Sequence, residues 1–260
     1  MRGYLSRINW RAVLALIGGL LVISAAAPVR IALAGYCPPI QGSSLRTIVY
    51  GGLTVNAAAG PVGSVVEARS PRGDLVGCFV VENAGDYGAM YVYGEDTSVS
   101  PTIPGMRSGE TIAFSVDGVS ATSTPAQTWA NDWKTVSHQV ALAATLTAPP
   151  PAASNVQATV SENGLTLTWS PGNAYANHYE VWRGTTPYYD PGAPGCNCTL
   201  LGTTTGLSWP DSDAAGVDLI GDVTTNYFYA VRAVNAAGAS AAGPRVGEFD
   251  FALQPGSPQA

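Results

Sequence analysis

Residues 225–240 read TNYFYAVRAVNAAGAS. Tyr227, Tyr229, Val231 and Ala233 stand two apart in this stretch. Side chains on a strand point alternately to opposite faces, so these four share one side, and the stretch is predicted to be a strand with one buried face. Two earlier segments behave the same way. Leu165-Thr-Leu-Thr-Trp169-Ser alternates apolar and polar residues, and so does Tyr179-Glu-Val181-Trp-Arg183. Parity puts Trp182 opposite Val181, hence outward.

Alternation continues upstream. Leu45–Val55, Gly63–Arg69, Leu75–Val81, Tyr87–Val92, Thr111–Val116 and Val136–Leu142 read as strands. Between them stand turn formers such as Gly60-Pro61, Pro71-Arg-Gly73 and Pro104-Gly105. Asp117-Gly118, flanked by Phe114, Val116 and Val119, is a two-residue hairpin signal. Past residue 40 no segment keeps an apolar pattern at helical spacing. The 260-residue chain has 30 glycines, 19 prolines and 46% hydrophobic residues. A core can be built from that composition, and turns cut it at short intervals. Ala148-Pro149-Pro150-Pro151-Ala152-Ala153 cannot lie inside a sheet and favours a stiff spacer. The expected organisation is all-β. A leader occupies 1–34, one β-sandwich 36–147, a proline-rich linker 148–153, a second sandwich 154–253 and a tail 254–260.

Two resemblances refine this. Trp169, the Tyr179-x-Val181 strand and the run Tyr227-x-Tyr229-x-Val231-x-Ala233-x-Asn235-x-x-Gly238-x-Ser240 make residues 152–253 similar to a fibronectin type III domain. That resemblance implies that Trp169 sits between the sheets, with Tyr179, Tyr229 and Val231 in the same core. It also implies that Tyr227 bonds its hydroxyl to backbone at a tyrosine corner. The long insert Thr186–Cys198 departs from the family pattern. Residues 46–146 resemble bacterial carboxypeptidase regulatory-like (transthyretin-like) sandwiches. That likeness rests on Gly63-x-Val65-Val66-x-Ala68, then Gly77-Cys-Phe-Val-Val-Glu-Asn-Ala-Gly85-Asp-Tyr87, and Gly109-Glu-x-Ile-x-Phe114.

The first 34 residues read as an export signal. Arg2, Arg7 and Arg11 precede an apolar run, Ala12–Ala27, and Ala32-Leu-Ala34 is a small-x-small cleavage site. The run also approaches the length that spans a bilayer, so cleavage and anchoring both fit. Either outcome places the rest outside the cytoplasm, secreted or tethered to the membrane by its N-terminal segment. There the four cysteines, Cys37, Cys78, Cys196 and Cys198, can oxidise. One bridge per half is the simplest pairing, although four cysteines allow three connectivities. A Cys196–Cys198 bridge would close a very small ring. A metal site at these cysteines lacks a second C-x-C or a nearby histidine.

Charge narrows the partners. The net charge is −6 overall. Residues 1–34 hold four arginines and no acid, so the remainder carries −10 (8 basic against 18 acidic residues). Such a surface repels phosphate backbones, which argues against nucleic acid. Arg72-Gly73-Asp74 spells an adhesion tripeptide, but it falls where a hairpin tip needs polar turn residues, and the turn is the expected reading. Asp211, Asp213 and Asp218 imitate a calcium loop, yet Ala215 and Asp222 break its pattern. An ordinary loop is expected, with weak calcium binding as the alternative. Glu95, Asp96 and Asp86 read as solvated charge.

No motif for nucleophilic or zinc hydrolysis occurs. Only two histidines exist. His178 is expected to point outward, and His138 to end the apolar face shared by Val136, Val140 and Leu142. Tyr87, Tyr91 and Tyr93 share parity, and Trp129 and Trp133 bracket a short polar stretch. Trp182, Tyr188 and Tyr189 form the candidate binding surface, because aromatics anchor interfaces. The sequence therefore predicts a non-catalytic exported protein that acts as an interaction or scaffold module through its tandem β-sandwiches, with a protein or glycan at the cell envelope as partner. Carbohydrate binding and self-assembly are the alternative roles.

Overall fold

The computed structural model describes residues 35–161, 164–212 and 225–248. Among them there is no helix. Ten strands build the first sandwich: β1 (Arg46–Tyr50), β2 (Leu53–Val55), β3 (Ala58–Ala59), β4 (Val65–Arg69), β5 (Leu75–Val80), β6 (Met90–Tyr93), β7 (Ala113–Val116), β8 (Val119–Thr124), β9 (His138–Gln139) and β10 (Ala141–Ala144). Eight build the second: β11 (Ser154–Ser161), β12 (Gly164–Ser170), β13 (His178–Gly184), β14 (Cys198–Thr204), β15 (Ser208–Ser212), β16 (Tyr227–Asn235), β17 (Gly238–Ala239) and β18 (Val246–Glu248). The chain is an all-β tandem of two sandwiches.

The first sandwich has a three-stranded sheet, β6-β1-β9, and a seven-stranded sheet, β3-β2-β10-β8-β7-β4-β5. The segment expected as a single strand, Leu45–Val55, is broken. β1 lies in the small sheet and β2 in the large one, and the chain crosses at Gly51-Gly52. Val136–Leu142 is broken in the same way at Val140, between β9 and β10, and both pairings are parallel. Gly51 has φ +153°, and a Cβ there would lie 2.4 Å from the Val140 carbonyl oxygen. Only glycine lets the two crossing chains come so close. The Tyr87 hydroxyl donates to the same carbonyl at 2.8 Å and holds the corner. Asp117 and Gly118, both at positive φ, make the tight β7–β8 turn, with Val116 opposite Val119.

Alternation fills two separate cores. The first gathers Val49, Val66, Val92, Phe114, Val116 and Trp129, whose indole nitrogen donates to the Val92 carbonyl at 2.9 Å. The second gathers Leu167, Trp169, Tyr179, Val181, Tyr229 and Val231. Trp169 meets Tyr179 edge-on with ring centres 5.5 Å apart, a favoured aromatic geometry. Here β11-β12-β15 faces a sheet built on β14-β13-β16, to which β17 and β18 also pair.

The proline run is one of several connections between the sandwiches. Asn56 donates to the Ala236 carbonyl at 3.2 Å and accepts the Leu146 amide at 2.9 Å. Asn235 donates to the Ala148 carbonyl at 3.2 Å, and Asn177 to the Ser64 hydroxyl at 3.3 Å. These bonds join the two sandwiches beside the proline run.

Asp117 sits in this joint. One carboxylate oxygen accepts the Val65 amide at 2.7 Å, while Oδ2 is buried without a partner. Burial pushes the carboxyl up to about 6, against the pull of Val65, Ser64 and Asn177. The folded state therefore prefers the protonated group. The stability this group contributes is full below its ordinary 3.8 and is lost as pH rises through about 6. At 1.36 kcal/mol per pH unit the gap amounts to at most about 3 kcal/mol. Asn tolerates the positive φ and imitates the neutral acid. Asp117→Asn is thus expected to stabilise the protein by about 1–3 kcal/mol at pH 8 and by almost nothing at pH 4. Urea midpoints at the two pH values check this, and an equal gain at both would contradict it.

Candidate binding face

One surface of the first sandwich is aromatic. On β1, Thr47 and Val49 are buried, so Arg46, Ile48 and Tyr50 turn outward. On β6, Met90 and Val92 are buried, so Tyr91 and Tyr93 turn outward. The antiparallel register sets Arg46 opposite Tyr93 and Ile48 opposite Tyr91, which brings all five side chains to one face. The two tyrosine rings lie 6.3 Å apart. Tyr91 is 46% exposed and Tyr50 39%, so both rings reach solvent.

Trp133 joins this face from a loop. Asn131 accepts the Arg46 amide at 3.1 Å. Asp132 accepts the Thr47 hydroxyl at 2.7 Å and bonds the His138 ring at 2.8 Å. Burial works to raise the Asp132 carboxyl, but the hydrogen bonds from Thr47 and His138 outweigh it and hold it below the ordinary range. So anchored, the loop lays Trp133 against Arg46, with the guanidinium carbon 3.9 Å from the ring centre. The same guanidinium lies 4.9 Å from the Tyr91 ring. A groove of about 310 Å³ runs beside the tyrosines, lined by Ile40, Phe79 and Ala89.

The surface expected from sequence is largely not one. Tyr189 is buried, and its hydroxyl donates to the carbonyls of Trp182 (2.9 Å) and Phe228 (3.1 Å). The insert folds back and uses Tyr189 as an internal prop, which corrects its assignment as a contact residue. Trp182 is half-buried, with its indole nitrogen on Glu180 at 3.1 Å. Only Tyr188 is fully out, at 89% exposure. Tyr87, grouped with Tyr91 and Tyr93 by parity, precedes β6 and is completely buried. Disulfides join Cys37 to Cys78 and Cys196 to Cys198. Among the described residues no group of three or more His, Cys, Asp or Glu could hold a metal ion.

Arg72-Gly73-Asp74 forms the turn between β4 and β5. Arg72 is tied to Glu110 through both guanidinium nitrogens, and Asp74 accepts the Ser70 hydroxyl at 2.7 Å. The charged ends that an adhesion receptor would need are thus engaged within the chain. Asp211 lies on β15 rather than in a calcium loop. It pairs with Arg183 at 2.9 Å and accepts the Tyr229 hydroxyl at 2.8 Å. Asp213 and Asp218 fall outside the described residues, as do the leader and tail. The Tyr227 ring lies 5.1 Å from the Arg183 guanidinium. Residues 213–224, upstream of Tyr227 where its corner partner is implied, are also outside the described residues. Glu95, expected to be solvated, forms a two-point pair with Arg107 at 2.8 and 2.9 Å. His138 is held by Asp132 instead of ending an apolar face, and Val136, expected on that face, is 45% exposed.

No protein-family model matches the chain, and no curated protein does. Solved structures that align with it include a fibronectin type III-like protein from Clostridium thermocellum. That alignment has 25% identity, covers 41% of this chain and 100% of the other, and has a TM-score of 0.28. The sixth fibronectin type III domain of a human protein of that name aligns at 17% identity, over 44% and 96% of the two chains, with a TM-score of 0.31. A multidomain segment of titin aligns at 12% identity over 79% and 66%, also at 0.31. These neighbours are fibronectin type III-like and immunoglobulin-like domains.

Proposed function

We propose that this protein is a non-catalytic, exported binding protein of the cell envelope, and that its contact surface is the outer face of β1 and β6. In this reading the second sandwich is a fibronectin type III-type carrier, and the first, carboxypeptidase regulatory-like, carries the recognition surface. The observation that supports it most is the clustering of Tyr50, Tyr91, Tyr93 and Trp133 on one half-exposed sheet face. Rings held on a sheet offer flat apolar surface at little entropic cost, which suits sugar rings as well as protein side chains. The export-like leader and two disulfides support the location.

Affinity electrophoresis through soluble glycans, with pelleting on insoluble ones, tests this reading. Wild-type protein is expected to be retained by at least one envelope polysaccharide. The Tyr91→Ala, Tyr93→Ala double variant is expected to lose retention tenfold or more, because two anchors at 1 kcal/mol or more each are removed. Retention that survives in this variant but vanishes with Tyr188→Ala would move the site to the insert and defeat the proposal.

A further inference from the structure

We infer that the β1–β6 face recognises a carboxylate-bearing saccharide, with Arg46 as its anion-binding group. This rests on the binding-face reading above and deepens it.

Arg69, Arg72, Arg107, Arg183 and Arg232 each have a carboxylate partner. Arg245 donates to the Tyr189 carbonyl at 2.6 Å. Alone among the described arginines, Arg46 uses its side chain for neither an ion pair nor a hydrogen bond to another described residue. Its Nε is buried with no partner. What holds it is aromatic: Trp133 at 3.9 Å and Tyr91 at 4.9 Å. With Nε buried, the stacked guanidinium still leaves the edge of its two terminal nitrogens free, and that edge matches a carboxylate two-pronged.

Charge on the face points the same way. Lys134, the sole lysine, lies 5.6 Å from the Trp133 ring. The nearest acid of the loop, Asp132, is already occupied by Thr47 and His138. In a chain whose residues 35–260 carry −10, Arg46 and Lys134 thus stand beside this aromatic cluster with no ion pair to another described residue. Anion and ring together describe a uronate: a pyranose face to stack on Tyr91 or Tyr93, and an equatorial carboxylate to reach Arg46. An acidic peptide would satisfy the charge but leaves the tyrosine pair without a flat apolar partner.

The test compares polygalacturonate with its fully methyl-esterified form, which keeps the rings and loses the charge. A poly-glutamate peptide and a neutral glucan serve as controls. Wild-type protein is expected to bind polygalacturonate at least tenfold more tightly than the ester, and more weakly as salt rises, since exposed charge pairs are screened. Arg46→Gln is expected to abolish that preference, and Arg46→Lys to restore part of it, because lysine keeps the charge without the fork. The comparison of acid with ester needs no variant, so a folding defect in Arg46→Gln leaves the test intact. Equal binding of acid and ester would overturn the inference, as would tighter binding of poly-glutamate. If in that case the neutral glucan is still retained through Tyr91 and Tyr93, the binding-face reading survives on its own. If no glycan is retained at all, both fall.

Discussion

Asp211→Ala is expected to destabilise the protein by about 3 kcal/mol, a typical cost for stripping the partner from a nearly buried charge. Asp211 is 10% exposed and Arg183 18%. Between them they tie β15 to β13, and the Tyr229 hydroxyl adds β16 at 2.8 Å. Burial, reinforced by the Asp211 carboxylate, pushes that hydroxyl well above the usual tyrosine range. It therefore remains a donor at any ordinary pH. Alanine would leave Arg183 facing only the Tyr227 ring and would leave Tyr229 without its acceptor. Asp211→Asn keeps an acceptor of the same shape and should cost about half as much, since only the charge-assisted part of the bond is lost. Urea midpoints at constant m-value measure both variants. A loss below 1 kcal/mol for alanine would contradict the assignment, as would a calcium-dependent rise in midpoint abolished by the substitution.

The two disulfides should differ sharply in what they contribute. Chain-entropy reasoning makes a cross-link worth more the longer the loop it closes. Cys37 and Cys78 are 41 residues apart, whereas Cys196 and Cys198 are separated by two. The relation gives about 4 kcal/mol for the first and below about 2 kcal/mol for the second. Cys37→Ser with Cys78→Ser should therefore lower the unfolding free energy about twice as much as the Cys196→Ser, Cys198→Ser pair. The first bridge also fixes the segment entering the sandwich to β5, next to the groove beside Tyr91 and Tyr93. Its loss should weaken glycan retention as well as stability. Equal destabilisation by both pairs of substitutions would refute the entropic account.

Alternation made much of the fold legible. Trp169, Tyr179, Tyr229 and Val231 are core residues, and each stood at the buried parity of its strand. The Asp117-Gly118 turn was visible too, because its backbone demands are local. What alternation could not reveal was where a strand changes sheets. The break at Gly51-Gly52 depends on Val140, 89 residues later, passing within contact of it. Period-two patterning says which face a residue takes, not which sheet it joins.

The site was less legible for related reasons. Tyr189 and Tyr188 are neighbours in a loop, where parity does not apply. One is buried because the insert returns to the β13 and β16 backbone, and the other is not. Asp211 looked like the first ligand of a loop because its partners, Arg183 and Tyr229, are distant in sequence. Tyr91 and Tyr93 did carry a signal, their shared parity, but Tyr87 shared it as well and is buried. Arg46 gave none. That its side chain pairs with no other described residue is a property of the assembled surface, which the order of residues does not carry.

The most direct test of the binding face is an amide-resolved NMR titration of residues 35–260 with a short polygalacturonate oligosaccharide. Shift changes should concentrate at residues 46–50, 91–93 and 131–134 and vanish in the Tyr91→Ala, Tyr93→Ala variant. Changes centred on residues 186–198, or none at saturating oligosaccharide, would contradict the account.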